Sequence, residues 1–218
     1  LAVADEQTAG RGRLGRRWHA PSGACLTFTR VIVSGADQAL PTIDRIMLSS
    51  AVAVAQSVEA LIAPRRDRVG IKWPNDIVID GCKLAGILVE TFAHRARRAA
   101  LIGIGINGEI PADALPADVG PITSLAALGC DVDRLWLLAE LTARLDDMLA
   151  ETDVERLAAE WRTRSTLLDH RVTIAHDGRE HIGTVVDIDP QEGLILRTDY
   201  GQMLHLPAAT SSIVCMTS

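Results

Sequence analysis

Ile71 to Glu90 reads IKWPNDIVIDGCKLAGILVE, and its punctuation decides the fold. Pro74 pushes Trp73 into an extended conformation, and Pro-Asn-Asp marks a turn. Asp80-Gly81 is a strong two-residue hairpin signal between apolar runs. The stretch therefore predicts short strands at Val69–Trp73 and Ile77–Ile79, then a longer one at Leu84–Thr91. Simple alternation places Lys83 on one face with Ala85, Ile87 and Val89. A lysine on an apolar face is unusual, because burying an unpaired ammonium is costly. Either it snorkels to water from the strand end or it meets an anion. Gly86, on the opposite face, reads as a ligand contact or as a close-packed backbone position.

Outward from this hairpin the strand pattern continues. Ala24–Val33 and Ala99–Asn107 are rich in apolar and β-branched residues, and the second contains ALIGIGING, Ala100 to Gly108. Ile102, Ile104 and Ile106 point one way, while Gly103, Gly105 and Asn107 point the other. That bare glycine face suits either a flat ring with an amide at its edge or a helix packed tightly across it. Upstream lies GRGRLGRRW, Gly10 to Trp18, with four arginines and no acid before Ser22. Gly10, Gly12 and Gly15 free the backbone, and guanidinium groups fork onto phosphate or carboxylate oxygens. A mobile loop that orders over an anion fits these facts, and so does a solvated basic turn.

A helical stripe from Thr42 to Ala63 ends at Pro64, and further helices are expected near Ser124–Leu128, Arg134–Leu149 and Val154–Arg164. A Pro-bearing loop spans 110–121. After about Leu167 the pattern changes to short β runs at Val172–Ala175, Ile182–Ile188, Leu194–Arg197, Met203–Leu206 and Ser212–Cys215, which predict a small barrel.

Across the 218 residues, 48% are hydrophobic and 23% charged, enough apolar material for a substantial core. The net charge of −6 argues against a general nucleic-acid coat. Cys25, Cys82, Cys130 and Cys215 form no CxxC pair, so zinc and a disulfide framework are both disfavoured and reduced thiols in the cytoplasm are expected. Charges interrupt the apolar runs, so no transmembrane helix is expected, and no signal peptide is seen. The chain opens at Leu1 inside a strand, without Met, which predicts that further residues precede it.

Taken together, GRGRLGRRW, KWPND with KLAGILVE, and GIGIN, in that order, resemble the biotin protein ligase family over most of the chain. The resemblance implies an α+β fold: a mixed β-sheet flanked by helices, like class II aminoacyl-tRNA synthetases, followed by a C-terminal barrel of the Src-homology type. It implies a catalytic biotin- and ATP-binding domain over 1–167 and the barrel over 168–218. The implied reaction joins biotin and ATP, with Mg2+, into biotinyl-5′-AMP. A lysine of the biotin carboxyl carrier domain of acetyl-CoA carboxylase or a related carboxylase then takes the biotin.

Carried over position by position, Lys83 is similar to the lysine bridging the biotin carboxylate and the α-phosphate, with Gly86 beside it. Gly10, Arg11, Gly12 and Arg13 look like the adenylate-covering loop, and Gln7 like a biotin contact. Arg13 joins Lys83 and Asp76 in the catalytic set, Asp76 near the incoming amine. Trp18 resembles the aromatic that packs on adenine, Asn107 a nucleotide contact, and Arg16 a group reaching the pyrophosphate. No metal ligand from the protein is implied.

The family's upstream Ser-Thr-Asn element does not occur here, nor does the DNA-binding winged helix of its repressor members, so a monofunctional ligase without DNA or membrane binding is expected, as monomer or homodimer. The segment Ala209–Val214 lacks the basic residue some members carry. Two alternatives stand beside this reading. One is a lipoate–protein ligase-like enzyme, whose Arg-Gly-Gly-Gly loop has no counterpart here. The other is a non-catalytic biotin- or carrier-binding module.

Overall fold

The alternating strands pair into two sheets in the computed structural model, which describes residues 1–34, 39–63, 69–94, 97–110 and 120–217. The first sheet contains β1 (Ala2–Ala4), β2 (Cys25–Val33), β3 (Val69–Lys72), β4 (Asp76–Ile79), β5 (Cys82–His94) and β6 (Arg97–Asn107). Their order is β1-β2-β6-β5-β4-β3. All of these ladders are antiparallel. Parallel pairing among the described residues is confined to single bridges, Ile71 with Ser165 and Lys83 with Ile122. Asp80 and Gly81 take φ of 49° and 78°, the two positive values that a tight hairpin of the predicted type requires.

Helix α1 (Ile43–Ile62) is capped by Thr42, whose side chain accepts from the Arg45 amide at 3.2 Å. It is buried almost all round, because Ala51, Ala53, Ala55, Ser49, Ser50 and Ser57 are small enough for neighbours on every side. The buried hydroxyls of Ser50 and Ser57 donate back to the carbonyls of Ile46 and Ala53. Contrary to the reading from charge interruption, α1 is long and apolar enough to cross a membrane, with a mean hydropathy of 1.4. However, 72% of that window is buried inside the fold, as for the core helix of a folded domain. The stop expected at Pro64 lies outside the described residues, as does most of the 110–121 loop.

Helices α2 (Arg134–Ala150) and α3 (Val154–Arg162) start on Asp133 and Asp153, whose carboxylates accept from their first-turn amides. The stretch expected as a helix at 124–128 is only a 3-10 turn, Ala126–Leu128. Trp161 of α3 is fully buried in the cluster that also takes in Leu141 and Leu145 of α2 and Val52 and Val58 of α1.

The second sheet contains β7 (Arg171–His176), β8 (Arg179–Asp189), β9 (Gly193–Thr198), β10 (Met203–Leu206) and β11 (Ser211–Thr217), in the order β10-β9-β8-β7-β11. The C-terminal β unit is as expected in content. No pairing of β10 with β11 closes it among the described residues, so it is an open five-stranded antiparallel sheet rather than a closed barrel. Arg162 ties α3 to this sheet, donating from Nε and Nη2 to both oxygens of Asp187 at 2.7 and 2.9 Å. Val172, Ile174, Val185, Leu194 and Leu196 join the same hydrophobic cluster as the first sheet.

Candidate functional site

Alternation gives the first sheet two faces. Leu26, Phe28, Ile87, Ile102, Ile104 and Ile106 lie against the core. The other face carries the cross-strand pairs Thr29–Gly103, Gly86–Gly105 and Leu88–Gly103 and opens into a cleft of about 250 Å³. Gln7, Arg11, Gly12, Arg13, Arg16, Trp18, Asp76, Lys83 and Gly86 all line it.

Lys83 reaches the cleft for a reason that simple alternation misses. Ile77 pairs with Ala85 and Val78 with Lys83, so Leu84 is an extra residue, a β-bulge. The bulge reverses the facing of Lys83 relative to Ala85, Ile87 and Val89. Its Cε and Nζ stand 3.2 Å from where a Cβ on Gly86 would be, on the cleft side. The main chain of Lys83 is fixed by bonds from its amide to Pro121 O and from the Thr123 amide to its carbonyl, both 2.9 Å. Its ammonium lies 2.6 Å from Asp76 Oδ1, so the half-buried lysine arrives in the cleft already paired.

The indole of Trp18 lies on the glycine floor. A Cβ on Gly105 would be 2.5 Å from Trp18 Cζ2, and one on Gly86 would be 3.2 Å from Cζ3. Lys83 Nζ sits 5.7 Å from the ring centroid, within cation–π range. Thus a flat ring does occupy the bare backbone, and it is the chain's own. The Nε1–H of Trp18 is buried with no hydrogen-bond partner among the described residues. Gly10 and Asn107 do not line the cleft. Gly10 accepts from the Trp18 amide at 3.0 Å, and a Cβ there would strike the Trp18 carbonyl. Asn107 is buried beneath Lys83 and donates from Nδ2 to the carbonyls of Lys83 and Thr123 at 3.2 and 3.0 Å.

The four arginines of the loop have different partners. Arg11 pairs with Glu90 at 2.7 Å, and the Arg17 side chain donates to the Thr8 carbonyl at 3.4 Å. Arg13 donates to Asn75 Oδ1 at 3.3 Å, to Ser211 O at 2.8 Å and to Ala208 O. Burial pushes its guanidinium below the ordinary value, and Asp76 opposes that. Arg16 is held through its backbone, its carbonyl accepting from the Gly12 amide at 2.8 Å, while its side chain lines the cleft with no hydrogen bond or ion pair among the described residues. The turn through Leu14 and Gly15 takes φ of 54° and 76°, which frees the arginines on either side to face inward.

Asn75, Glu90 and Ser212 also line the cleft. Glu90 was legible, since counting by twos from Gly86 along β5 reaches it. Asn75 was hidden in a string that reads as a turn, yet its Nδ2 donates to Ile87 O at 3.0 Å and fixes the oxygen that meets Arg13. Ser212 comes from the far sheet, and no local pattern announces it.

A pocket with one paired lysine, a cationic loop and few carboxylates suits a ligand that brings two anions together. Residues 1–107 match the model of the biotin/lipoate A/B protein ligase family. A biotin–[acetyl-CoA-carboxylase] ligase of Mycobacterium tuberculosis is 34% identical over 199 residues, covering 90% of this chain and 72% of that protein. One from Paracoccus denitrificans is 31% identical over 214 residues, covering 95% and 87%. Among solved structures, the biotin protein ligase of Aquifex aeolicus in complex with biotin and ATP superposes with a TM-score of 0.77 at 25% identity, covering 97% of this chain and 87% of that one. Motifs, fold and relatives agree: the chain belongs to the biotin/lipoate A/B protein ligase family, among its biotin protein ligases.

Proposed function

We propose that this chain is a biotin–protein ligase that makes biotinyl-5′-AMP from biotin and ATP and then biotinylates a lysine of a biotin carboxyl carrier domain. The observation that carries this reading is the Lys83–Asp76 pair beside Gly86, facing the cationic loop in the cleft. In the first step a biotin carboxylate oxygen attacks the α-phosphorus, and the bond to pyrophosphate breaks. Two anions must approach, and Lys83 and Arg13 supply fixed positive charge where they meet, which is worth most where water is scarce. Arg16, whose side chain has no partner among the described residues, takes the departing pyrophosphate. Magnesium enters with ATP as part of the substrate.

In the second step the carrier amine attacks the acyl carbon and AMP leaves. Once Lys83 turns to the adenylate, Asp76 is free to orient the amine and accept its proton. Gln7 lies at the biotin end of the cleft, Arg11 and Gly12 cover the adenylate, and the Trp18 indole stacks on the purine. Asn107 acts from behind Lys83. Residues 1–167 carry this chemistry, while 168–218 border the cleft through Ser212 and hold Arg13 through the carbonyls of Ala208 and Ser211. Four free cysteines suit the reducing cytoplasm.

The test is exchange of label between pyrophosphate and ATP. Exchange dependent on biotin is expected. Exchange dependent on lipoate instead would move the chain to the lipoate side of its family, and tight biotin binding without exchange would make it a binding module.

A further inference from the structure

Ser211, His176 and Asp177 come together in the second sheet in a way that invites a nucleophile–base–acid reading. Ser211 Oγ lies 3.1 Å from His176 Nδ1, and His176 Nε2 lies 3.3 Å from Asp177 Oδ2. That reading fails on access, because Ser211 is fully buried and no substrate reaches its hydroxyl. The constellation still has a direction. The Asp177 carboxylate favours the proton on Nε2, which leaves Nδ1 as an acceptor. Thr210 Oγ1 also lies 3.1 Å from Nδ1, so two consecutive hydroxyls are gathered by one imidazole.

Both hydroxyls lie where the turn that meets the loop passes into β11, whose first residue, Ser211, is the ladder partner of His176. Ser211 O and Ala208 O accept from Arg13, and the Ala208 amide donates to Asp44 Oδ1 at the start of α1 at 2.6 Å. The turn is thus held from one side by α1 and from the other by His176, and Arg13 reads its position. We propose that His176 is a positioning residue: it fixes the 208–211 turn, whose carbonyls hold the Arg13 guanidinium and with it the Gly10–Trp18 loop over the cleft. His176 lies in β7 and lines no part of the cleft, so it acts only through the turn. The kinetic part rests on the ligase reading above, and the loop-order part does not.

The experiment compares wild type, His176→Ala and His176→Asn, the last keeping an acceptor near the place of Nδ1. Hydrogen exchange of the ligand-free protein is followed for the Gly10–Trp18 amides and for β8 and β9 as an internal reference. His176→Ala should speed exchange in the loop by about fivefold or more while β8 and β9 stay protected, and His176→Asn should restore the loop. In biotin-dependent pyrophosphate exchange, His176→Ala should lower kcat on the order of tenfold with little change in KM for biotin, again rescued by Asn. Unchanged loop exchange in His176→Ala would overturn the proposal whatever the activity. Equal acceleration in β8 and β9 would also overturn it, since the role would then be plain stability. Should His176→Ala not fold, His176→Leu, which fills the space without an acceptor, takes its place in the comparison with His176→Asn, with the same outcomes expected and the same ones overturning. Absence of exchange activity in wild type, with the loop effect present, would sink the ligase reading alone.

Discussion

The two faces of the six-stranded sheet are made of alternate residues of the same strands, yet they are held by different means. On one face Ile102, Ile104 and Ile106 are fully or nearly fully buried, and neighbours of similar chemistry surround them. On the other, Gly103 and Gly105 leave a floor on which a tryptophan lies and around which charges are paired. The core face is secured by area removed from water, which any well-packed aliphatic residue can supply. The cleft face is secured by a few polar contacts, each dependent on particular partners: Lys83 on Asp76, Arg11 on Glu90, Arg13 on Asn75, Ala208 and Ser211. Damage to the first should therefore cost stability, and damage to the second should cost chemistry.

The largest effect expected is on the core face. Ile104→Ala leaves a cavity under the sheet and should lower unfolding free energy by about 2–5 kcal/mol, read by denaturant titration. If biotin-dependent exchange per folded molecule fell in step, the separation of faces would not hold. Lys83→Ala should do the opposite. It removes about 3 kcal/mol of transition-state stabilisation, on the order of a hundredfold in adenylate formation, with the melting temperature nearly unchanged. A folded variant with an unaltered rate would remove Lys83 from the mechanism.

Gly105→Ala tests the floor itself. The added methyl falls within 2.5 Å of Trp18 Cζ2, so the indole must lift, an overpacking cost of about 1–3 kcal/mol. Calorimetry should show biotin and ATP binding on the order of tenfold weaker, and unchanged affinity would mean that the indole's seat does not matter to ligands. The smallest effect belongs to a pair outside both faces, Arg162–Asp187. Burial pushes the Asp187 carboxyl up, but hydrogen bonds from Arg162 more than offset this and hold it below the ordinary carboxylate value. An acid with a lowered value stabilises the fold above its unfolded value, and that help is lost as pH falls through the folded one. Arg162→Met should therefore cost up to about 1 kcal/mol at neutral pH, with the gap to wild type closing below about pH 4. A gap that persists into acid would assign the loss to packing.

Much of the strand framework could be read from local pattern because its causes are local. Asp80-Gly81 takes the positive φ pair that its hairpin needs, and the Ile102–Ile106 alternation faces the core as period two dictates. The basic loop was visible as composition alone. The same local rule misplaced Lys83, because a β-bulge depends on how β4 and β5 pair and leaves no mark in the alternation of β5 itself.

What the chain's sequence determined by itself is the sequence of strands and helices, the tight turns, the buried aliphatic stripe and the presence of cations beside glycines. Each follows from the conformational preference or hydrophobicity of neighbouring residues. Tertiary structure alone decided which acceptors those cations meet and what lies on the glycines. Glu90 is 79 residues from Arg11, and Ser211 is 198 from Arg13. Contacts at that separation form only when two sheets and a helix have packed, because a hydrogen bond worth about 1 kcal/mol cannot by itself offset the entropy of closing so long a loop.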